Sequence, residues 1–353
     1  MGTGLLLQDK GIVLIASESA YNTNAVAAAI VANGPLTYVA VHDDMKPSLE
    51  VVSYVPNQLL PSAGGNEHKV FVNSSKLAGT FPMRAGVGAT FIPHWLPFAK
   101  AANFAVVSAG SSTVMSLSTT QQQAMSFHRY DRDSETGDYQ LSPVTGVRGN
   151  LSFALELEKE PIATFTGMGA SAEDASAYRA YFTAAGKPAF NYAGGTVTNT
   201  STVTRDTAGR FGCQAMTLTV GGVNYPAMSM NMDLGWTPTP VSTLQSSPTV
   251  SKVLLTKNNT TRTSGNIVLM DGLTALADAR AKWASGAKAS LVAVCSNGVE
   301  KMTIEAENIQ LGYHTEQAQG GVRGFGVPFF VVQSNTGTSI FGDSWVKITM
   351  AAA

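Results

Sequence analysis

The sequence predicts a mainly β fold, with a dozen or more strands against two or three short helices, and three observations carry that prediction. Hydrophobic residues make up 44% of the 353 while 13% are charged, about half the usual share, so Ser, Thr, Asn and Gln carry the polarity. The 34 Gly and 15 Pro punctuate short runs rich in Thr and branched apolar residues, which suit a pleated surface. The stretch Gly146 to Gly167 alternates strictly: Leu151, Phe153, Leu155 and Leu157 fall on one side, Ser152, Ala154, Glu156 and Glu158 on the other. Pro161 breaks that strand before Ile162 to Phe165 resumes it, which makes the unit one wall of something larger.

The chain opens with the apolar run Gly11 to Ala16, a polar turn over Glu18 to Thr23 and a short buried segment, Val26 to Val31. Two strand-like runs, LTYVAV and LEVVSYV, flank the polar turn His42 to Ser48. Pro56 to Asn66 is a loop by composition. Its apolar Leu59 and Leu60 need a partner surface, which makes Leu59, Leu60, Pro61 and Asn66 candidate contacts to a neighbouring subunit. His68 to Val72 reads as a strand, and Pro93 and Pro97 then permit only a short helix, Leu96 to Ala102. Thr113 to Leu117 and Met125 to Tyr130 read as a strand pair, followed by a charged turn over Asp131 to Tyr139.

Beyond the central stretch, Ser171 is placed to cap a helix over Ala172 to Ala184, with Glu173 and Asp174 complementing its dipole. Thr-rich Gly194 to Gly209 reads as a loop or an edge excursion. Two alternating strands follow: Met216, Leu218 and Val220 share one face, and Met228, Met230, Met232 and Leu234 oppose Ala227, Ser229, Asn231 and Asp233. Trp236 to Ser247 is a Pro/Ser/Thr connector. It is the best boundary within a single domain over 1–353, between a strand-rich part, 1–236, and a C-terminal part, 248–353, that holds the helix 273–284. On that helix Leu273, Leu276, Ala277 and Trp283 share a face, and Gly286 stops it. Val250 to Leu255, Gly265 to Met270, Leu291 to Cys295, Lys301 to Gln310, Gly320 to Val332 and Ser344 to Met350 supply the remaining strands.

A net charge of −1 gives no general pull toward nucleic acid or an anionic membrane. The start of the sequence has no signal-peptide pattern, and no apolar stretch reaches the length of a membrane helix. Cys213 and Cys295 lie in separate apolar contexts and read as two buried thiols of a reducing compartment. His42, His68, His94, His128 and His314 never fall at metal-ligand spacing, so no metal and no cofactor is expected. Nucleophile-elbow, dinucleotide and phosphate-loop motifs are absent. His42-Asp43-Asp44 reads as a surface turn. Glu156 and Glu158 would lie about 7 Å apart on a strand, a separation a glycosidase pair tolerates, but no aromatic sugar platform lies near them in sequence. The expectation is a non-enzymatic protein.

The order of these pieces carries a resemblance. ESAYNTNAVAAAIVANGPLTYVAV, a long irregular loop, HKVFVNSSKLAGTFPM, a short helical LPFAKAANF and then GVRGNLSFALELEKEPIATFTGMG together resemble the tail tube (major tail) proteins of long-tailed bacteriophages. The family's E-x-x-y-g-T segment is matched by Glu18, Tyr21 and Thr23, with Asn22 in place of Gly, and its L-x-G element by Leu77 and Gly79. Its G-x-x-G…F-x-x-E…P-x-x-x-F-x-x-x-G pattern is matched by Gly146, Gly149, Phe153, Glu156, Pro161, Phe165 and Gly169.

The resemblance implies a β-sandwich or half-barrel whose inner sheet joins those of five other copies into a hexameric ring. Rings stack into a virion tail tube that is assembled in the host cytoplasm and conducts DNA at ejection. Partners would be further copies, the tail tip, the terminator and the tape measure inside the lumen, with DNA passing unbound. A lumen should be polar and poor in cations. The two alternating strands suit it, which makes Ser152, Ala154, Glu156, Glu158, Ser229, Asn231 and Asp233 the expected lumen residues. The alternative is a β-sandwich adhesin or carbohydrate-binding module.

Overall fold

The computed structural model describes residues 6–31, 37–42, 44–54, 69–84, 91–109, 112–118, 123–133, 139–169, 179–182, 188–192, 195–198, 204–205, 211–241, 252–257, 262–270, 273–319, 322–332 and 346–353. In chain order the elements are β1 (Leu6–Ser17), α1 (Ala25–Val31), β2 (Thr37–Tyr38), β3 (Lys46–Tyr54), β4 (Lys69–Pro82), α2 (Leu96–Ala101), β5 (Phe104–Ala109), β6 (Ser112–Leu117), β7 (Met125–Asp133) and β8 (Tyr139–Glu156). They continue with β9 (Ile162–Gly169), β10 (Arg179–Phe182), β11 (Pro188–Tyr192), β12 (Gly195–Thr198), β13 (Thr204–Arg205), β14 (Ala215–Val220), β15 (Val223–Tyr225), β16 (Ala227–Asp233) and β17 (Thr237–Val241). The last are β18 (Lys252–Thr256), β19 (Ser264–Met270), α3 (Leu273–Ser285), β20 (Ala289–Ser296), β21 (Glu300–Leu311), β22 (Thr315–Gln319), β23 (Val322–Val331) and β24 (Val346–Ala352). The fold is mainly β, as the composition predicts.

Two runs of antiparallel strands carry the architecture. One reads β3-β4-β9-β8-β16-β19-β23-β22. The other reads β15-β14-β20-β21-β24-β6-β5. They join where the end of β21, Ile309 to Leu311, pairs with β23. The long β8 serves two neighbourhoods, with β7 along its first half and β9 and β16 along its second. A two-stranded ribbon, β17 with β18, stands apart from these ladders.

Alternation decides what is inside. Leu151, Phe153 and Leu155 of β8, Met230 and Met232 of β16, Met302 and Ile304 of β21 and Ile348 and Met350 of β24 all enter one core. Its aromatic centre stacks Phe81 on Phe98 at 4.5 Å and tilts Phe98 against Phe165 at 5.2 Å, so β4, α2 and β9 are locked together. Each such ring buried contributes about 2–3 kcal/mol.

Several expectations are corrected. Arg179–Phe182 is strand β10, bonded to β8 and β11, where the Ala-rich sequence predicts helix. Helix propensity is a weak prior, and ladder bonds on both sides outweigh it. Met125 to Tyr130 does not pair with Thr113 to Leu117: β7 lies between β1 and β8, and β6 between β5 and β24. Part of the Trp236 to Ser247 connector is strand β17. A bulge between Ala227 and Ser229 leaves Met228 only half-buried, while Met230, Met232 and Leu234 are fully inside. Gly286, at φ +64°, ends α3 as predicted. The buried face of α3, however, is Ala275, Leu276 and Ala279, and Ala277 and Trp283 are exposed. Asp278 fixes that rotation: it accepts the Tyr225 hydroxyl hydrogen bond at 2.8 Å and pairs with Lys282.

The cysteines are the clearest reversal. Cys213 and Cys295 form a buried disulfide, with their Cα atoms 5.3 Å apart. They are 82 residues apart in sequence and are brought together by the antiparallel pairing of β14 with β20.

Candidate functional site

The two strands expected to carry a polar face are neighbours, and their named residues are register partners. Ser152 lies opposite Asp233, Ala154 opposite Asn231 and Glu156 opposite Ser229. The face extends outward from both strands. On β9, Thr164 pairs with Ser152 and Thr166 with Asn150; on β19, Ser264 pairs with Asp233 and Asn266 with Asn231. Thr80 of β4 continues the Ser152–Thr164 row. The polar residues of five adjacent strands therefore line up on the side opposite the core, around a shallow depression of about 330 Å³ that includes Ile162 and Thr164.

Hydrogen bonds fix these side chains. Asn150 donates to Asp233 Oδ1 at 2.7 Å and accepts from the Trp236 N–H at 2.9 Å, while the Gly235 N–H donates to the same Asp233 oxygen at 2.7 Å. Asn231 Oδ1 accepts the Asn266 N–H at 2.9 Å, and Asn266 reaches Gln317 at 3.3 Å. Glu156 is neutralised by Lys159 at 2.6 Å. Carboxylates that are saturated with donors or paired are poorly placed to move protons.

Glu158 is a correction. β8 stops at Glu156, and Glu158 stands in the following turn at φ +67° rather than continuing the face. Leu157, predicted to face the core, is 38% exposed in that turn. Pro161 is why the strand cannot simply run on. The glycosidase geometry, alternate carboxylates on one strand, is therefore not present. Leu59, Leu60, Pro61 and Asn66 lie outside the described residues.

One end of the face is covered by the β17–β18 ribbon. Arg148, in line with Asn150 and Ser152, is buried there; it donates to the Val253 carbonyl at 2.8 Å and lies 4.8 Å from the Tyr21 ring centre. The Val253 N–H donates to the Tyr21 hydroxyl at 2.7 Å. Burial lowers the Arg148 pKa and raises that of Tyr21. Lys257, just after β18, lies 4.6 Å over the Trp236 ring and donates to Thr263 at 2.6 Å; burial lowers its pKa to about 8.

Behind the face is a network that motif reading touches without predicting. Glu18 is buried; its Oε1 accepts the Gly146 N–H at 2.7 Å and the Ser126 hydroxyl at 2.9 Å, and its Oε2 accepts the Asn22 N–H at 2.7 Å. Burial raises the Glu18 pKa, and those hydrogen bonds offset part of the rise. Asn22 adopts φ +59°, as expected of Asn standing at a glycine position, and accepts the Thr145 hydroxyl at 2.6 Å. Two pieces of the family-like pattern, the Glu18 turn and the Gly146 strand, thus meet across 128 residues.

The His42–Asp44 turn is tied down by β4: Thr80 contacts His42 Nδ1 at 2.8 Å and Asp44 Oδ1 at 3.1 Å. Among the described residues no group of His, Cys, Asp and Glu could hold a metal ion, and no helix is long and apolar enough to cross a membrane. An exposed aromatic pair, Trp283 and Tyr313, is brought together by α3 and the β21–β22 turn. Its rings meet edge to face, not as a flat sugar platform. The Thr164 and Thr166 contribution was available from the alternation of Ala163 to Gly167; the aromatic pair was not, because its members lie 30 positions apart in unrelated elements.

No family model matches the chain, and no curated protein matches it.

Proposed function

We propose that the chain is the subunit of a bacteriophage tail tube, a structural virion protein without catalytic function. Six copies form a ring, and rings stack into the tube that conducts DNA at ejection. The observation that supports this most is the polar face of β9, β8, β16 and β19. From Asn150 to Glu156 and across its register partners it offers hydroxyls, amides and two acids, with no Lys or Arg among the described positions. Such a wall faces water without attracting phosphates, because neutralising backbone phosphates requires cations. The ordered sequence pattern from Glu18 to Gly169 points the same way, as does a charged fraction of 13% in a chain whose outer surface would be shared with neighbours.

Negative-stain electron microscopy of the purified protein, at low and high concentration and with mass measured in solution, tests this. Six-fold rings or hollow tubes are expected at high concentration. Monomers that persist after addition of tail-tip complexes would reject it.

A further inference from the structure

The β20–β21 hairpin ends in an exposed valine. Gly298, at φ +85°, opens a tight loop whose Asn297 side chain accepts the Val299 and Glu300 N–H groups at 2.9 and 2.7 Å. That side chain holds the loop in shape. Val299 on it is 74% exposed, the most exposed large hydrophobic residue among those described. A tight hairpin tip ordinarily carries polar residues, so a fixed apolar tip points to a covering surface.

At the other end of β21 lies a corner with two aromatic walls. Trp283, 45% exposed, and Tyr313, 58% exposed, meet at 5.0 Å and 69°. His314 lies 4.6 Å from the Tyr313 ring and accepts from Arg280, whose Nε and Nη2 are 3.2 and 3.0 Å from His314 Nε2. Trp, Tyr and Arg at one exposed point is the composition of a binding hot spot. The twelve residues of β21 set tip and corner roughly 35–40 Å apart, so they cannot meet within one chain. Their charges match: Glu300 follows Val299, and Arg280 flanks Trp283 by one helical turn. Lys301 belongs by alternation to the opposite face of β21.

We infer that Val299 of one copy seats in the Trp283–Tyr313 corner of the next, with Glu300 facing Arg280. The choice of a second copy as occupant rests on the self-assembly proposed above. The contact is heterologous, so it repeats along an axis instead of closing on itself.

Mixed crosslinking tests it. Val299→Cys protein mixed with Tyr313→Cys protein and mildly oxidised is expected to give several-fold more disulfide-linked heterodimer than Val299→Cys mixed with Thr239→Cys, an exposed site on the β17–β18 ribbon. Arg280→Glu combined with Trp283→Ala in the Tyr313→Cys partner should remove that excess, and a Glu300→Arg, Val299→Cys partner should restore it toward Arg280→Glu alone. Equal yields in the two mixtures overturn the contact, even if microscopy shows six-fold rings. A crosslinked excess in particles that are open chains without six-fold symmetry would keep the contact and reject the ring.

Discussion

Glu18 shows how much one side chain can organise. Its carboxylate accepts hydrogen bonds from Gly146, Ser126 and Asn22, three groups that would otherwise be buried without acceptors. Glu18→Ala should cost about 3 kcal/mol in urea unfolding, because orphaned buried donors are penalised more than a hydrogen bond is worth. Gly79 is as demanding for a different reason: a Cβ there would overlap the Met45 backbone. Gly79→Ala is expected to abolish soluble expression or lower the melting midpoint by many degrees, whereas Ala78→Gly, at an exposed neighbouring position, should shift it little. His128 sets a pH limit. It is fully buried, its Nδ1 lies 3.1 Å from the Tyr130 hydroxyl, and burial lowers its pKa from 6.5 to about 3. The unfolded chain therefore binds the proton first as pH falls. Stability from this site is fully present above 6.5 and is lost progressively toward 3, by about 3 kcal/mol between pH 6.5 and 4. Denaturant midpoints against pH should show that slope in the parent and a flatter one in His128→Gln.

Within single elements, periodicity carried the information and pairing did not. The alternations of β8, β16 and β21 could be read residue by residue, because a strand with one wet face repeats every two positions. That β8 and β16 are neighbours could not, since their paired residues lie some 80 positions apart and nothing local encodes the choice. The same blindness hid Cys213 from Cys295 and made Arg179–Phe182 look helical. It also explains why Glu158 was misplaced: alternation continues on paper past Glu156, but the backbone turns there. The disulfide joins the approach to β14 with β20, and Cys213 also exchanges backbone bonds with the β8–β9 turn, donating to Lys159 O at 2.9 Å and accepting from Glu158 N at 2.7 Å. Reduction should therefore lower the parent's unfolding free energy by about 2–4 kcal/mol, and leave a Cys213→Ala, Cys295→Ala variant unchanged. Equal responses of the two proteins to reductant would show that the bridge does not form in solution.

For the whole molecule, the central quantity is the charge of one wall. Ser152→Arg with Asn231→Arg changes two outward residues on adjacent strands and touches no core position. The double variant is expected to fold and assemble as the parent does, but to retain duplex DNA in a salt-dependent manner seen in gel mobility, since each added cation can release phosphate counterions. Unchanged mobility in assembled particles would place the wall outside any channel. The ladder order also governs when the molecule becomes itself. β24, residues 346–352, is inserted between β21 and β6, which are almost 200 residues apart in the chain. Until the ribosome has released those last residues, β6 has only β5 beside it and one flank of β21 is open. Domains dominated by such distant pairings fold slowly, so a nascent chain stays incomplete, and unable to present its finished surfaces to other copies, until translation of this region ends. In a protein whose proposed task is to polymerise, late insertion of one strand works as a clock.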